Sequence, residues 1–437
     1  MVAVYVAVLA VGMSGCTGSG NGVVGEQDWD VHEGDGWADV QSDASPNHDV
    51  DDDDILPGED VVEDTLPSAD IVEDAALPED TVDATPPLED VVEDTAPPEE
   101  PDIVVEPPPL EDPTHSSAIG LADPDTVLAR DGKYITYGTT IGAGNGPRCG
   151  ASGRLFVPYL VHGSGNSVGM ADCASGDAMP GGPGSWAEAG GAIWAPGVAR
   201  FGDQYIMFYT ATRRGSGQKC IGRATSHGAR GPFVSKGEWA CPPAGRWAID
   251  ANPFVAGGNL HVAYRDDYIN SYPETGLSAV RTDAQGRAIW DTRRDLLKST
   301  DIGWESINIS GADRVIENPS LFKSGGVWYV AYAGNNWDSP RYATGIANCG
   351  ASPLPATRCT PMRNGVQRPY FGYTGSGGLG PYRGLPGNHP GPGGMDIFNA
   401  ADGSLRAVWH WWNPANGRRQ VALGRLLVND GGFYVGE

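Results

Sequence analysis

No lysine or arginine occurs before Arg130. Residues 1–113 carry 32 acidic side chains and no basic one, so the net charge of -27 belongs to one end of the chain. The other 24 acids stand against all 29 bases, a near balance that excludes the strongly basic face of a nucleic-acid binder. No C-x-x-C pair is present, which argues against a structural zinc site. Nucleotide-binding glycine loops and nucleophile motifs are missing too. What remains is two physical objects: an acidic segment, and a domain over 114–437 large enough that a single core would have to be divided among repeats.

Residues 1–15, MVAVYVAVLAVGMSG, are apolar, too short to cross a bilayer, and end in small residues directly before Cys16. Ser14-Gly15-Cys16 resembles a bacterial lipobox, which implies cleavage, acylation of Cys16, and an exported lipoprotein anchored at the cell envelope, on the surface or outer membrane. Cysteine arithmetic agrees. Seven cysteines are odd for an exported chain, and setting Cys16 aside leaves six. Joined as sequence neighbours they pair Cys149 with Cys173, Cys220 with Cys241, and Cys349 with Cys359, although other connectivities stay open.

Residues 16–113 repeat a Pro-flanked acidic phrase, as in Leu56-Pro57 to Asp64 and Leu66-Pro67 to Asp74. Like charges are too dense and apolar residues too sparse to offset the entropy of ordering, so a disordered linker is expected. Calcium binding by Asp51 to Asp54 is the weaker reading, since that run lacks the glycine and terminal glutamate of a calcium loop.

Beyond the linker one phrase recurs five times, beginning at Asp123-Pro124, Trp194-Ala195-Pro196, Asp250-Ala251-Asn252-Pro253, Glu317-Asn318-Pro319 and Gly391-Pro392-Gly393-Gly394. Each copy leads through a turn into an alternating aromatic and apolar strand: Tyr134 to Tyr137, Tyr205 to Tyr209, Leu260 to Tyr264, Val327 to Tyr332 and Leu405 to Trp409. Strand, turn and strand at such a period predict an all-β, five-bladed β-propeller, whose blades bring equivalent positions to one axis. Singly, an acid before a proline is turn chemistry. Asp123, Asp250 and Glu317 stand at near-equivalent places in three repeats, and carboxylates clustered at a buried axis imply a site that uses shifted pKa values.

Ala122-Asp123-Pro124, Trp194-Ala195-Pro196, the Asp250 segment and Glu317-Asn318-Pro319-Ser320-Leu321, all in register over about residues 119–437, resemble glycoside hydrolase family 43. The resemblance implies an inverting glycosidase of the α-L-arabinofuranosidase or β-xylosidase type, acting as a monomer on plant-type polysaccharide or oligosaccharide. Carried over, Asp123 is the general base, Glu317 the general acid, and Asp250 the residue that orients Glu317 and raises its pKa. Inversion requires base and acid on opposite faces of the sugar with room for a water between them.

Trp194, Trp337 and His410 are candidates to bind substrate, the two tryptophans by stacking on sugar and His410, among Trp409, Trp411 and Trp412, by lining the axis. Ala122 stands where endo-acting arabinanases of the family often carry histidine, which argues against endo action. The family's Gly-Pro-Gly-His phrase is Gly391-Pro392-Gly393-Gly394 here, preceded by His389. A central calcium therefore lacks support, and neither metal nor cofactor is assigned. Two other readings compete: a non-catalytic carbohydrate-binding propeller, which retention of three acids opposes, and a glycoside phosphorylase, which needs a basic phosphate pocket that the sequence does not display.

Overall fold

The first strand, β1 (His115–Ser116), pairs antiparallel with a strand near the end of the chain, His115 opposite Leu423 and Ser116 opposite Ala422. This pairing closes a ring of five sheets. The computed structural model describes residues 115–116, 120–142, 153–163, 174–243, 245–269, 274–302, 315–338, 342–362, 369–372, 390–413, 416–429 and 432–436, all within the unit Pro98–Glu437. The leader, Cys16, the acidic segment, Cys149, Cys173 and His389 lie outside the described residues.

Blade 1 comprises β2 (Asp125–Leu128), β3 (Tyr134–Tyr137), β4 (Pro158–His162) and β5 (Gly176–Asp177). Blade 2 comprises β6 (Trp194–Phe201), β7 (Gln204–Thr212), β8 (Lys219–Ser226) and β9 (Val234–Ala240). Blade 3 holds β10 (Ala248–Ala256), β11 (Asn259–Asp266), β12 (Gly276–Arg281) and β13 (Arg294–Lys298). Blade 4 holds β14 (Ile316–Ser324), β15 (Val327–Gly334), β16 (Ala343–Gly350), β17 (Thr360–Pro361) and β18 (Phe371–Gly372). Blade 5 holds β19 (Gly393–Asn399), β20 (Leu405–Asn413), β21 (Arg418–Asn429) and β22 (Gly432–Gly436), with β1 on its outer edge. The fold is the five-bladed β-propeller expected from the repeats.

Alternation within each strand sends apolar side chains to both neighbours, so the core is split by blade interface rather than shared. Tyr137 and Val157 of blade 1 pack with Met207 and Tyr209 of blade 2, and Ile206 and Phe208 on the other face of β7 pack with Leu260 and Val262 of blade 3. Blades 3 and 4 meet through Leu277, Leu297, Val330 and Tyr332, and blades 4 and 5 through Phe322, Ile346, Trp409 and Phe433. Leu121 and Tyr134 join Phe398 and Val408 across the seam between blades 1 and 5. Closure is thus made in the core as well as by β1. Disulfides Cys220–Cys241 and Cys349–Cys359 form as expected, each tying the third strand of a blade to the segment beside its fourth.

Candidate active site

The same defect recurs in every blade, within the innermost strand in blades 2 to 5 and just before it in blade 1. One residue takes a left-handed backbone: Asp123 (φ 51), Ala195 (φ 39), Asp250 (φ 55), Asn318 (φ 48) and Gly394 (φ 54). In blades 2 to 5 the strand register slips at this point, the mark of a β-bulge. Non-glycine residues avoid such φ values, asparagine and aspartate least, and their concentration at one ring of positions marks the axis as functional. Glycine fits the fifth copy for a local reason: a Cβ on Gly394 would lie 2.8 Å from His410 Nδ1.

The acids of the sequence reading are therefore not all equivalent. Asp123 and Asp250 occupy the left-handed position itself, whereas Glu317 precedes it, at the place held in blade 2 by Trp194. The longer side chain, one residue back, reaches the same axis.

Asp123 accepts a hydrogen bond from Thr139 Oγ1 at 2.7 Å and pairs with Arg419 Nη1 at 3.5 Å. Burial pushes its carboxyl up, but the Arg419 charge and the Thr139 hydroxyl hold it below the usual carboxylate range. His410 is fully buried, and its Nδ1 accepts the Asp123 backbone N–H at 3.1 Å. With its pKa pushed down to about 3 by burial and by Arg419, the ring is neutral, so the cation that keeps Asp123 ionised is Arg419. The expectation that His410 faces sugar is corrected: it stands behind Asp123, stacked on Tyr342 at 5.6 Å.

Glu317 is gripped at both oxygens. Arg265 Nη1 donates to Oε2 at 2.8 Å and the Tyr342 hydroxyl donates to Oε1 at 2.8 Å. Burial and the surrounding carboxylates raise the Tyr342 phenol well above its ordinary value, so it stays a donor. Asp250 accepts from the Asn318 backbone N–H at 3.2 Å. Burial, then the charges of Glu317 and Asp123, push the Asp250 carboxyl well above the usual carboxylate range.

Two residues further along each innermost strand lies a second ring: Asp125, Gly197, Asn252, Ser320 and Asp396. Asn252 Nδ2 bridges Asp125 Oδ2 and Asp396 Oδ1, each at 3.1 Å, and Ser320 Oγ donates to Asp396 Oδ1 at 3.0 Å. Backbone N–H groups of Val198 and Thr126 complete the two carboxylates at 2.9 Å. Gly197 leaves a gap by necessity, since a Cβ there would lie 2.2 Å from the Ala251 carbonyl oxygen. The two rings enclose an axial cavity of about 30 Å³, room for roughly one water.

Of the aromatic candidates, Trp337 is half-exposed with the Arg419 guanidinium 4.6 Å over its ring, which sets it beside Asp123. Trp194 is partly buried under Lys219 Nζ at 4.2 Å. Trp409 is core, and Trp412 Nε1 donates to the Trp337 carbonyl at 2.9 Å. Sequence reasoning missed Thr139, Arg265, Tyr342 and Arg419. The sequence shows no basic cluster, yet the fold brings Arg265 and Arg419 to the acids, where carboxylates engage both.

A five-bladed propeller whose axis gathers one carboxyl held low, a second pushed up, and a glutamate gripped at both oxygens defines a glycosidase-type site. Residues 121–433 match the family model Glycosyl hydrolases family 43, and the chain belongs to that family. Over 293 residues it is 25% identical to a protein described as "Probable arabinan endo-1,5-alpha-L-arabinosidase A" from Aspergillus flavus, covering 65% of this chain and 79% of the relative. The fold is similar to a thermostable family-43 glycoside hydrolase, with TM-score 0.57, 21% identity, and coverage of 74% of this chain and 96% of the other. An endo-arabinase from Bacteroides thetaiotaomicron gives TM-score 0.52 at 18% identity, covering 74% of this chain and all of the other, 100%.

Proposed function

We propose that this family-43 glycoside hydrolase cleaves O-glycosidic bonds of arabinose- or xylose-containing polysaccharide with inversion, as an α-L-arabinofuranosidase or β-xylosidase. Asp123 is the general base that takes a proton from the attacking water, Glu317 the general acid that protonates the departing oxygen, and Asp250 the neighbour that keeps a proton available to Glu317. The observation that carries the reading is the opposite treatment of acids around one axis: Asp123 held ionised, Asp250 pushed up beside Glu317. A base and an acid are both ready at one pH only if their environments separate them in this way. Trp337 beside Arg419 supplies an apolar face on the base side, suited to a sugar ring.

The Aspergillus relative's endo action is not carried over, because Ala122 precedes the base here. Aryl α-L-arabinofuranoside, aryl β-D-xyloside, arabinan and arabinoxylan offered in parallel test the substrate class, and NMR of the first-formed anomer tests inversion. Release from none of them, with oligosaccharide still bound, would leave a carbohydrate-binding propeller in place of an enzyme. Phosphate-dependent release would instead indicate a phosphorylase, a reading disfavoured by the pairing of Arg265 and Arg419 with carboxylates. Residues 1–16 support export and acylation at Cys16. The Cys16→Ser protein is expected to leave the membrane fraction, and equal membrane association of both forms would sink the anchor.

A further inference from the structure

The second strand of each blade reaches the axis of the next blade through one repeated position. That position pairs with the residue before the bulge: Thr210 opposite Trp194, Arg265 opposite Ile249, Ala333 opposite Glu317, and His410 opposite Gly393. In blade 1 it is Thr139, whose N–H bonds to the Ala122 carbonyl. Three of the five residues do the same work for the following blade. Thr139 Oγ1 accepts the N–H of Ala195 at 3.0 Å, Thr210 Oγ1 that of Asp250 at 3.1 Å, and His410 Nδ1 that of Asp123 at 3.1 Å. Each satisfies a buried backbone donor exposed by the left-handed turn.

Arg265 cannot do this, because a guanidinium only donates. The N–H it would have received, that of Asn318, goes to Asp250 Oδ2 instead, and Arg265 turns its Nη1 to Glu317. The guanidinium is itself fixed. Asp267 takes Nε at 2.8 Å and Nη2 at 3.2 Å, and the Trp247 ring lies 5.7 Å beneath it. An arginine that departs from the pattern kept by three of its four counterparts, clamped on two sides and aimed at one carboxylate, is placed for that carboxylate.

We propose that Arg265, clamped by Asp267, is a positioning residue for the general acid: it fixes the orientation of the Glu317 carboxyl and sets the upper pH limit of its protonated form. The proposal rests on the catalytic role given to Glu317 above. The charged and titratable groups facing Glu317 are Arg265 with Asp267 behind it from blade 3, Asp250 from the same blade, Tyr342 from blade 4 and Asp123 from blade 1. Arg265 is the one cation among them, so it opposes Asp250: the carboxylate neighbour favours protonated Glu317, and the guanidinium favours ionised Glu317. The acid's carboxyl is thus fixed at both oxygens, by Arg265 on one and Tyr342 on the other.

The test compares wild type, Arg265→Gln and Arg265→Lys by two readouts: the 13C-carboxyl NMR titration of Glu317, assigned with Glu317→Gln, and pH–rate profiles on glycosides with good and poor leaving groups. In Arg265→Gln the Glu317 midpoint and the alkaline limb of kcat are expected to move up together, and kcat on poor leaving groups to fall about tenfold more than on activated aryl glycosides. Arg265→Lys keeps the charge and is expected to hold the midpoint near wild type while losing rate on poor leaving groups, because ammonium cannot be clamped in the same fork. An unmoved Glu317 midpoint in folded Arg265→Gln overturns the proposal, and so does full wild-type kcat in Arg265→Lys, which also decides the matter if the glutamine variant does not fold. A parent that cleaves no glycoside defeats the catalytic reading separately, since the NMR titration needs no turnover.

Discussion

Two layers of polar side chains stand two or three residues apart along the strands at the axis, and they differ in who satisfies them. In the ring of Asp125, Asn252, Ser320 and Asp396, carboxylates accept from backbone N–H groups and from one another's neighbours, a closed network with no arginine in it. Around the other three acids, Asp250 also takes a backbone N–H, that of Asn318, but Asp123 and Glu317 are held by side chains that reach in from other elements: Arg419 and Thr139 on the first, Arg265 and Tyr342 on the second. Backbone donors lock an acid in place, whereas side-chain partners let its charge be tuned and its bond be exchanged. The same residue type serves as mortar in one layer and reagent in the next.

The largest contrast is expected from removing an acid in each layer. Asp123→Ala should lower kcat by about 10³-fold or more on every substrate, and Glu317→Ala by a similar factor on poor leaving groups but much less on activated aryl glycosides. Both should melt close to wild type, as read by circular dichroism. Asp396→Ala should behave the other way round: it strands Thr126 N–H, the Ser320 hydroxyl and the Asn252 amide, for a loss of about 3 kcal/mol in denaturant unfolding, with turnover per folded molecule retained. An Asp396→Ala protein that is stable but inactive would erase the distinction between the layers.

Smaller effects sharpen it. Asp250→Asn removes a negative neighbour of Glu317 and should lower the alkaline limb of the kcat profile by about one pH unit, opposite in sign to the change expected for Arg265→Gln. In the structural ring, burial and then the charge of Asp396 raise Asp125 well above 3.8. A carboxyl with a raised folded pKa stabilises most below its unfolded value, and that contribution is lost as pH rises through the folded one. Asp125→Asn should therefore flatten the decline of Tm as pH rises above about 4, the smallest of these changes. An unchanged slope would show that burial and Asp396 do not raise Asp125 in the folded state.

The repeats were readable because each pairs a turn-forming phrase with an alternating strand, and all five predicted strands fall inside or match described ones, as Tyr205 to Tyr209 falls inside β7. The three axial acids were readable for the same reason. Their one-residue offset was not, since only backbone φ values separate Glu317 from Asn318. Asp125, Asn252, Ser320 and Asp396 were within reach of an alignment of the repeats, all two positions past the left-handed residue, yet each taken singly looks like an ordinary turn polar group. Arg265 and Arg419 could not be assigned from period alone: alternation says that a side chain leaves a strand on one face, not that the end of that strand meets the axis of the neighbouring blade. His410 was noticed for the right neighbourhood and given the wrong direction.

The seam formed by β1 against β21 has a temporal meaning. Blades 1 to 4 can each be completed as their own residues emerge, but the partner of His115 and Ser116 belongs to the last blade, so the ring cannot shut until almost the whole domain has been delivered. Pairing between the two ends of a chain is slow to find, and an unshut ring offers bare strand edges in the meantime. Folding of this domain would therefore end with a single late step, and any truncation that removes His115 and Ser116, however cleanly it trims the acidic segment, would take away half of the clasp.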